Sequence, residues 1–314
     1  MTRWVLSIDG GGIRGIIPAL VIAYLEKQTG RPAAELFDLI VGTSTGGILA
    51  LGLAQPASEA AGESRHTAQQ LAELYIEKGA AIFDRGWWRR LRSVRGIFEE
   101  AYGAEALESI LADTFDNQVL ASCRCHTMVT TYDIEQRKPL FIKSFKPQHE
   151  AILCRDAARA TSAAPTYFEP AVIAIEGQTR ALIDGGVFIN SPAVSGYAEA
   201  LKLFPEETVK VLSLGTGEFV SPISREQAAG WGSTGWLLPL LDCVFDGVSR
   251  VSDHQMRLFL GDHYHRFQTS LTPASDELDD VSPDNIRSLV TVAESLIDQA
   301  RDDLDRLAEK LSAA

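Results

Sequence analysis

Twice within its first fifty residues, the chain passes from a short apolar stretch into a turn of small residues and then into a helix-like segment. Residues 4–8 lead into three consecutive glycines, and residues 37–41 lead into Gly-Thr-Ser-Thr-Gly at 42–46. Apolar and helical stretches keep alternating as far as residues 209–214. Strands that are apolar throughout and alternate with helices are typical of a largely parallel sheet covered on both faces. The pattern predicts an α/β fold.

We predict a single domain over residues 1–314, because neither an internal repeat nor a clean linker interrupts the alternation. The motifs that carry chemistry lie within residues 4–217. Residues 218–314 form an accessory segment that ends in an amphipathic helix. Ser282 is predicted to cap this helix and Pro283 to take its first turn, since leucines and alanines follow at spacings of four and three.

Composition excludes some partners and compartments. The net charge of −13 argues against a nucleic-acid polymer, because neutralising phosphates requires an excess of Lys and Arg. The first residues lack the shape of a signal peptide, and no apolar run approaches the ~18 residues that a membrane-spanning helix needs. We therefore expect a soluble, cytoplasmic protein.

The turn at 42–46 has the pattern of a nucleophile elbow. Ser44 stands in Gly-x-Ser-x-Gly between a buried strand and a helix, where small neighbours let the chain turn sharply and project the hydroxyl. A helix N-terminus also stabilises developing negative charge. We predict that Ser44 is a catalytic nucleophile, the alternative being a serine that only caps the helix.

The glycine loop after the first strand offers backbone amides to an anion. Gly10, Gly11 and Gly12 lack Cβ atoms, so their N–H groups can approach a tetrahedral oxyanion, and Arg14 can add charge or hold the loop. The same glycines, with Gly15, also spell the dinucleotide-binding pattern Gly-x-Gly-x-x-Gly. That alternative requires an acidic residue at the end of the second strand, where the sequence has the serine turn instead.

Two candidates exist for the base that activates Ser44. Asp184 ends a short apolar strand before two glycines, so we expect it at the same edge of the sheet, where it would form a Ser–Asp dyad. With an ordinary pKa of about 3.9 it would be a weak base. The other candidate is a Ser–Asp–His triad completed by His254, His263 or His265, which lie in a polar segment without strand-end context.

These motifs together resemble the patatin-like phospholipase family. The resemblance rests on D-G-G-G-I-R-G at 9–15, G-T-S-T-G at 42–46 and D-G-G at 184–186, and it extends to residues 158–168 and 213–217. It implies a three-layer α/β/α sandwich and acyl-ester hydrolysis that needs no metal. We therefore expect a lipid acyl hydrolase for fatty-acyl esters of membrane phospholipids or galactolipids, without a cofactor and peripheral to the inner membrane when acting. The resemblance also implies the roles of nucleophile for Ser44, base for Asp184 and oxyanion hole for the glycine loop with Arg14.

A second functional hypothesis concerns regulation. Some bacterial patatin-like proteins that resemble this chain are hydrolases activated by cyclic nucleotides in antiviral defence. Residues 85–95, with five arginines and two tryptophans in an acidic protein, are a candidate site for such a ligand or for lipid headgroups. The apolar, glycine-hinged residues 230–241 could form a lid or an acyl-chain wall, and the terminal helix could pair two copies into a homo-oligomer.

Overall fold

The chain is described here by a computed structural model covering residues 1–57, 63–82, 104–218, 223–275 and 277–313. The strands are β1 Thr2–Ile8, β2 Leu39–Thr43, β3 His126–Asp133, β4 Lys138–Lys143, β5 Ala171–Ile175, β6 Gln178–Asp184, β7 Thr208–Leu214 and β8 Tyr264–Phe267. The helices are α1 Ile16–Thr29, α2 Ala33–Leu36, α3 Thr45–Leu53, α4 Ala68–Ile82, α5 Ala104–Phe115, α6 Cys154–Thr161, α7 Ala193–Leu203, α8 Arg225–Gly230, α9 Gly232–Gly235, α10 Leu237–Leu260, α11 Pro283–Gln299 and α12 Arg301–Ser312.

The eight strands of these ranges form one sheet in the order β5-β6-β3-β2-β1-β7-β8, with β4 pairing with β3 outside that path. Five neighbouring strands, in the sheet order β3, β2, β1, β7 and β8, are parallel. The strands β4, β5 and β6 pair antiparallel at one side of the sheet. The expected α/β fold with a mostly parallel central sheet is confirmed.

Both faces of the sheet are covered, which explains why its central strands are apolar throughout. In β1, Trp4, Leu6 and Ile8 point into a core shared with α1, α3 and α5, whereas Val5 points into a second core shared with α7 and α10. Because alternate residues of a strand face opposite sides, a strand between two helical layers needs apolar residues at every position.

The antiparallel course of β6 determines how Asp184 reaches the functional edge. Our expectation assumed a parallel strand ending at that edge. Instead β6 runs back along β3 and overlaps only its last three residues, so that Asp184 pairs with Thr131 near the carboxyl end of β3. Asp184 therefore lies at the expected edge of the sheet, although its strand runs antiparallel to the central strands.

The C-terminal segment differs from its prediction, because the single long helix is two helices. The Ser282 side chain accepts a hydrogen bond from the Asn285 amide at 3.3 Å, which confirms the predicted cap. The helix breaks at Ala300, whose ψ of 11° is not helical, and α12 starts from there. Leu289 of α11 and Leu304 of α12 are fully buried in the core that includes α1. These helices pack on their own domain.

Candidate active site

A cavity of about 570 Å³ lies where β1, β2 and β7 end. The residues that follow these strands line it, since Asp9 follows β1, Ser44 follows β2 and Thr216 follows β7. The lining includes every residue predicted for the site, namely Ser44, Asp184, Gly10, Gly11, Gly12 and Arg14. Carboxyl ends of parallel strands are the usual position of ligand sites in open α/β sheets.

Ser44 occupies a sharp turn that only small neighbours permit. Its φ of 56° and ψ of −125° lie outside the regions that residues with a Cβ prefer, as expected where backbone strain presents a functional side chain. A Cβ on Gly42 would lie 2.0 Å from the Gly46 carbonyl oxygen, and one on Gly46 would lie 2.3 Å from the Ile8 carbonyl oxygen. The two glycines of the motif therefore let β2 turn directly into α3, packed against β1.

A set of threonines holds this turn in place. The Ser44 amide donates to Thr161 Oγ1 at 3.0 Å, and the Thr161 hydroxyl donates to the Thr130 carbonyl at 2.7 Å. The hydroxyls of Thr43 and Thr130 are 2.8 Å apart. The roles of these threonines could not be predicted from the sequence, because each depends on strand register and on the docking of α6. The available signal was Thr161 itself, which lies inside the resembling segment 158–168.

Asp184 is a buried carboxylate next to the nucleophile. Its Oδ1 accepts a hydrogen bond from the Gly186 amide at 2.7 Å. Burial raises the pKa of Asp184 to about 6, while the Ser44 hydroxyl and the Gly186 amide favour the charged form and offset part of the rise. The expectation of an ordinary, weakly basic carboxylate was therefore wrong. A base with a pKa near neutral accepts a hydroxyl proton more readily.

The three glycines of the loop are not equivalent. The Gly10 amide donates to the Asn190 carbonyl at 3.0 Å, which removes it from the predicted donors of an oxyanion hole. Within the described part of the chain, the amides of Gly11 and Gly12 have no hydrogen-bond acceptor. A Cβ on Gly11 would lie 2.4 Å from Thr216 Oγ1, and Gly12 has a φ of 56°, so both positions need glycine.

Two arginines brace the glycine loop from behind. Arg14 is 7% exposed, and its Nε donates to the Gly11 carbonyl at 3.2 Å, which matches the loop-holding role considered for it. Arg266 of β8 reaches across β7 to Asp9, with 2.6 Å between Nη2 and Oδ2. Its Nη1 also donates to the Ser213 hydroxyl at 2.8 Å. Sequence analysis missed Arg266, because β8 is short and polar.

The histidines considered for a triad lie away from the cavity. None of the chain's six histidines, all within the described ranges, belongs to the lining. His254 and His263 are exposed, and His265 stacks on Trp4 with ring centroids 5.7 Å apart. The geometry therefore leaves Ser44 with a carboxylate neighbour and no imidazole.

Two segments were candidates for contacts with a ligand. Residues 85–95 lie outside the described residues. Residues 230–241 span the end of α8, all of α9 and the start of α10, and the side chains described there do not line the cavity. The accessory segment reaches the cavity further along α10, at Phe245, Ser249 and Arg257 among others. Among the helices of the described ranges, none is long and apolar enough to cross a bilayer.

A serine on a strand–helix elbow, a buried carboxylate beside it and open amides lining the same cavity form the arrangement of a serine ester hydrolase. The comparison with known proteins gives the family. Residues 6–196 match the family model described as patatin-like phospholipase. The chain belongs to that family and is a lipid acyl hydrolase. This family assignment gives no support to the dinucleotide-binding alternative for the glycine loop.

Curated relatives cover nearly the whole chain. Patatin-like protein 2 of rice (Oryza sativa subsp. indica) is 30% identical over 341 aligned positions, which cover 94% of this chain and 84% of the rice protein. Patatin-T5 of potato (Solanum tuberosum) is 31% identical over 331 positions, covering 93% and 83%. Among solved structures, human GIVD cytosolic phospholipase A2 aligns with a TM-score of 0.48 and 10% identity, covering 99% of this chain and 60% of that chain.

Proposed function

We propose that the protein hydrolyses fatty-acyl esters of membrane phospholipids through a Ser44–Asp184 dyad. In the first half-reaction, Asp184 accepts the hydroxyl proton while Ser44 Oγ attacks the ester carbonyl. The tetrahedral intermediate then collapses, and Asp184 returns the proton to the departing alcohol oxygen. In the second half-reaction, water gives a proton to Asp184 and attacks the acyl-serine. The tetrahedral intermediate then collapses, Asp184 returns the proton to Ser44 Oγ, and the fatty acid is released.

The amides of Gly11 and Gly12 are the proposed donors to the oxyanion. Unpaired N–H groups in a loop fixed by Arg14 require no reorganisation when charge develops on the carbonyl oxygen. The positive end of the α3 dipole, which begins next to Ser44, adds to the same stabilisation.

The proposal rests on the surroundings of Ser44, which has a carboxylate neighbour in the cavity and no histidine. Ser44 and Asp184 line one cavity, the serine hydroxyl stabilises the charged carboxylate, and none of the six histidines lies there to serve as base. A carboxylate with a pKa of about 6 is largely ionised at neutral pH, so it is ready to accept a proton.

The test compares fatty-acid release by the unmodified protein and by three variants. Ser44→Ala and Asp184→Asn should each lower kcat/KM about 10³-fold or more. The combined replacement of His254, His263 and His265 by Gln should retain most activity and serves as the matched control. Loss of activity in the histidine variant with retention in Asp184→Asn would replace the dyad with a triad.

Regulation, location and assembly stay predictions. Activation by a cyclic nucleotide and antiviral action derive from the sequence resemblance and from residues 85–95, whereas homo-oligomerisation derives from the spacing of the terminal helix. Attachment to the inner membrane is the expected location of the protein when it acts. Fatty-acid release from phospholipid vesicles, measured with and without cyclic dinucleotides, tests the first of them. Release that is unchanged by any cyclic dinucleotide would remove the regulated-effector hypothesis.

A further inference from the structure

One face of α10 gives the cavity a charged wall. Asp246, Arg250, Asp253 and Arg257 follow one another at spacings of four, three and four, so they share a face of the helix, and all four line the cavity. Glu218, after β7, lies beside them and also belongs to the lining. We call these five residues the charged wall.

The rest of the lining includes an apolar wall on the other side of the sheet. Ile48 of α3, Leu107 of α5 and Phe168 line the cavity and belong to the core that contains α1 and Trp4. The helix α10 instead packs into the second core, through Met256. A lipid ester with its carbonyl at Ser44 would therefore place its acyl chain along the apolar wall and its polar head along the charged wall.

The guanidinium groups of the charged wall are held only weakly. Arg250 Nη2 lies 3.2 Å from Glu218 Oε2, and Arg257 Nε lies 3.0 Å from Asp253 Oδ2. The arginine side chains are 65% and 59% exposed. Exposed ion pairs contribute little free energy, so either guanidinium can turn to a phosphate, which suits its planar fork of donors.

The carboxylates of the same wall are incompletely paired. Asp246 has no ion-pair partner within the ranges that the structure describes. Asp253 has an exposed ion pair, to Arg257, and its carboxylate loses that partner if Arg257 turns to a ligand. The wall holds three carboxylates and two guanidiniums, so a bound cation would balance its charge, and one with N–H donors could also hydrogen-bond to the carboxylates.

We propose that the charged wall is a headgroup subsite for a zwitterionic phospholipid with a primary ammonium. Arg250 and Arg257 turn to the phosphate, and the carboxylates of Asp246 and Asp253 accept hydrogen bonds from the ammonium. This inference rests on the proposed function, because it needs a phospholipid ester at Ser44. A quaternary ammonium has no N–H to donate to these carboxylates, and an anionic head brings no cation for Asp246.

The experiment measures kcat/KM for phosphatidylethanolamine, phosphatidylcholine and phosphatidylglycerol with identical acyl chains. Each lipid is presented in neutral detergent micelles at about 0.15 M salt, so that long-range repulsion by the acidic protein is screened. The unmodified protein should prefer phosphatidylethanolamine over phosphatidylglycerol by about fivefold, the size of one exposed charge pair, with phosphatidylcholine hydrolysed more slowly than phosphatidylethanolamine.

Substitutions at Asp246 test the assignment. Asp246→Asn should bring the phosphatidylethanolamine to phosphatidylglycerol ratio close to one, and Asp246→Lys should invert it. Because the ratio is taken within one protein, a fall in total activity does not alter it. Asp262→Asn, an exposed position outside the cavity lining, is the matched control and should keep the ratio of the unmodified protein.

The outcomes separate the two proposals. Equal rates on all three lipids in the unmodified protein, or an unchanged ratio in Asp246→Lys, would overturn the headgroup subsite while leaving the hydrolase intact. If the unmodified protein releases fatty acid from none of the lipids and from no soluble acyl ester, the proposed function itself fails.

Discussion

The burial of Asp184 sets the pH range in which the site can work. The carboxylate must be ionised to accept the Ser44 proton, and burial raises its pKa to about 6. We expect kcat/KM to be level at neutral pH and to fall about tenfold for each pH unit well below 6. A pH profile on a soluble acyl ester, with circular dichroism to confirm folding at each pH, provides the measurement. A level profile down to about pH 4.5 would show that the base has an ordinary carboxylate pKa.

The same pKa shift predicts a stability gain when the charge is removed. The pKa of Asp184 is about 6 in the folded protein and 3.8 in the unfolded chain, so the fold favours the protonated carboxyl. The stability that the protonated carboxyl contributes is fully present below pH 3.8 and is lost as the pH rises through about 6. Asp184→Asn should therefore raise the free energy of unfolding at neutral pH by on the order of 3 kcal/mol while abolishing hydrolysis. Urea denaturation at neutral pH measures the gain. A variant less stable than the unmodified protein would contradict the account.

The sequence predicts the positions of some site residues but not their hydrogen-bond partners or pKa values. Ser44 and Asp184 could be placed from short motifs, because strand–turn–helix context limits where such side chains can point. The pairing of the Gly10 amide with Asn190 could not be predicted, since it joins residues 180 positions apart through tertiary packing. The raised pKa of Asp184 depends on burial, which no local pattern reveals.

At the scale of elements, the elbow depends on the close approach of α3 to β1. A Cβ on Gly46 would meet the carbonyl oxygens of Ile8 and Asp9 at 2.3 and 2.7 Å, and these backbone atoms cannot retreat without disturbing the sheet. Gly46→Ala should therefore lower the free energy of unfolding by about 3 kcal/mol and lower activity. Chemical denaturation, together with fatty-acid release, measures both effects.

The matched control is Gly247→Ala in α10. A Cβ there meets nothing within 4 Å, so alanine should raise the free energy of unfolding by about 0.5–1 kcal/mol through its higher helix propensity. Equal effects of the two substitutions would show that glycine at position 46 is not required by packing.

Elements with strong local signals were the ones that the sequence predicted. β1, β2 and β7 are apolar runs, and α1 follows a glycine turn, so their positions agree with expectation to within a few residues. β8 was missed because four residues including His265 and Arg266 do not form an apolar run. The antiparallel direction of β6 was missed because pairing direction is set by tertiary contacts.

At the scale of the whole molecule, one buried ion pair joins the start of the chain to its last third. Arg266 and Asp9 have side chains 6% and 2% exposed, and burial, with a smaller contribution from the charge of Asp253, raises the Asp9 pKa against the pull of Arg266. Arg266→Met would leave an unpaired carboxylate behind the glycine loop. It should cost about 3–5 kcal/mol of unfolding free energy, part of which Asp9→Asn should restore in the double variant.

An exposed ion pair provides the comparison for this prediction. Arg287→Met, which removes the surface partner of Asp284 on α11, should change the free energy of unfolding by no more than about 0.5 kcal/mol. Similar small losses for both arginines, or no rescue by Asp9→Asn, would contradict the role assigned to the buried pair. Such a role makes residues beyond 217 part of the catalytic domain's structure.

The central claim is that Ser44 is the nucleophile of a lipid acyl hydrolase. A fluorophosphonate with a fatty chain reacts covalently with an activated serine, and peptide mapping by mass spectrometry locates the adduct. The account predicts one adduct, on Ser44, formed in step with loss of fatty-acid release and about 10³-fold more slowly in Asp184→Asn. Labelling of a different residue, or full fatty-acid release after Ser44 is completely labelled, would contradict it.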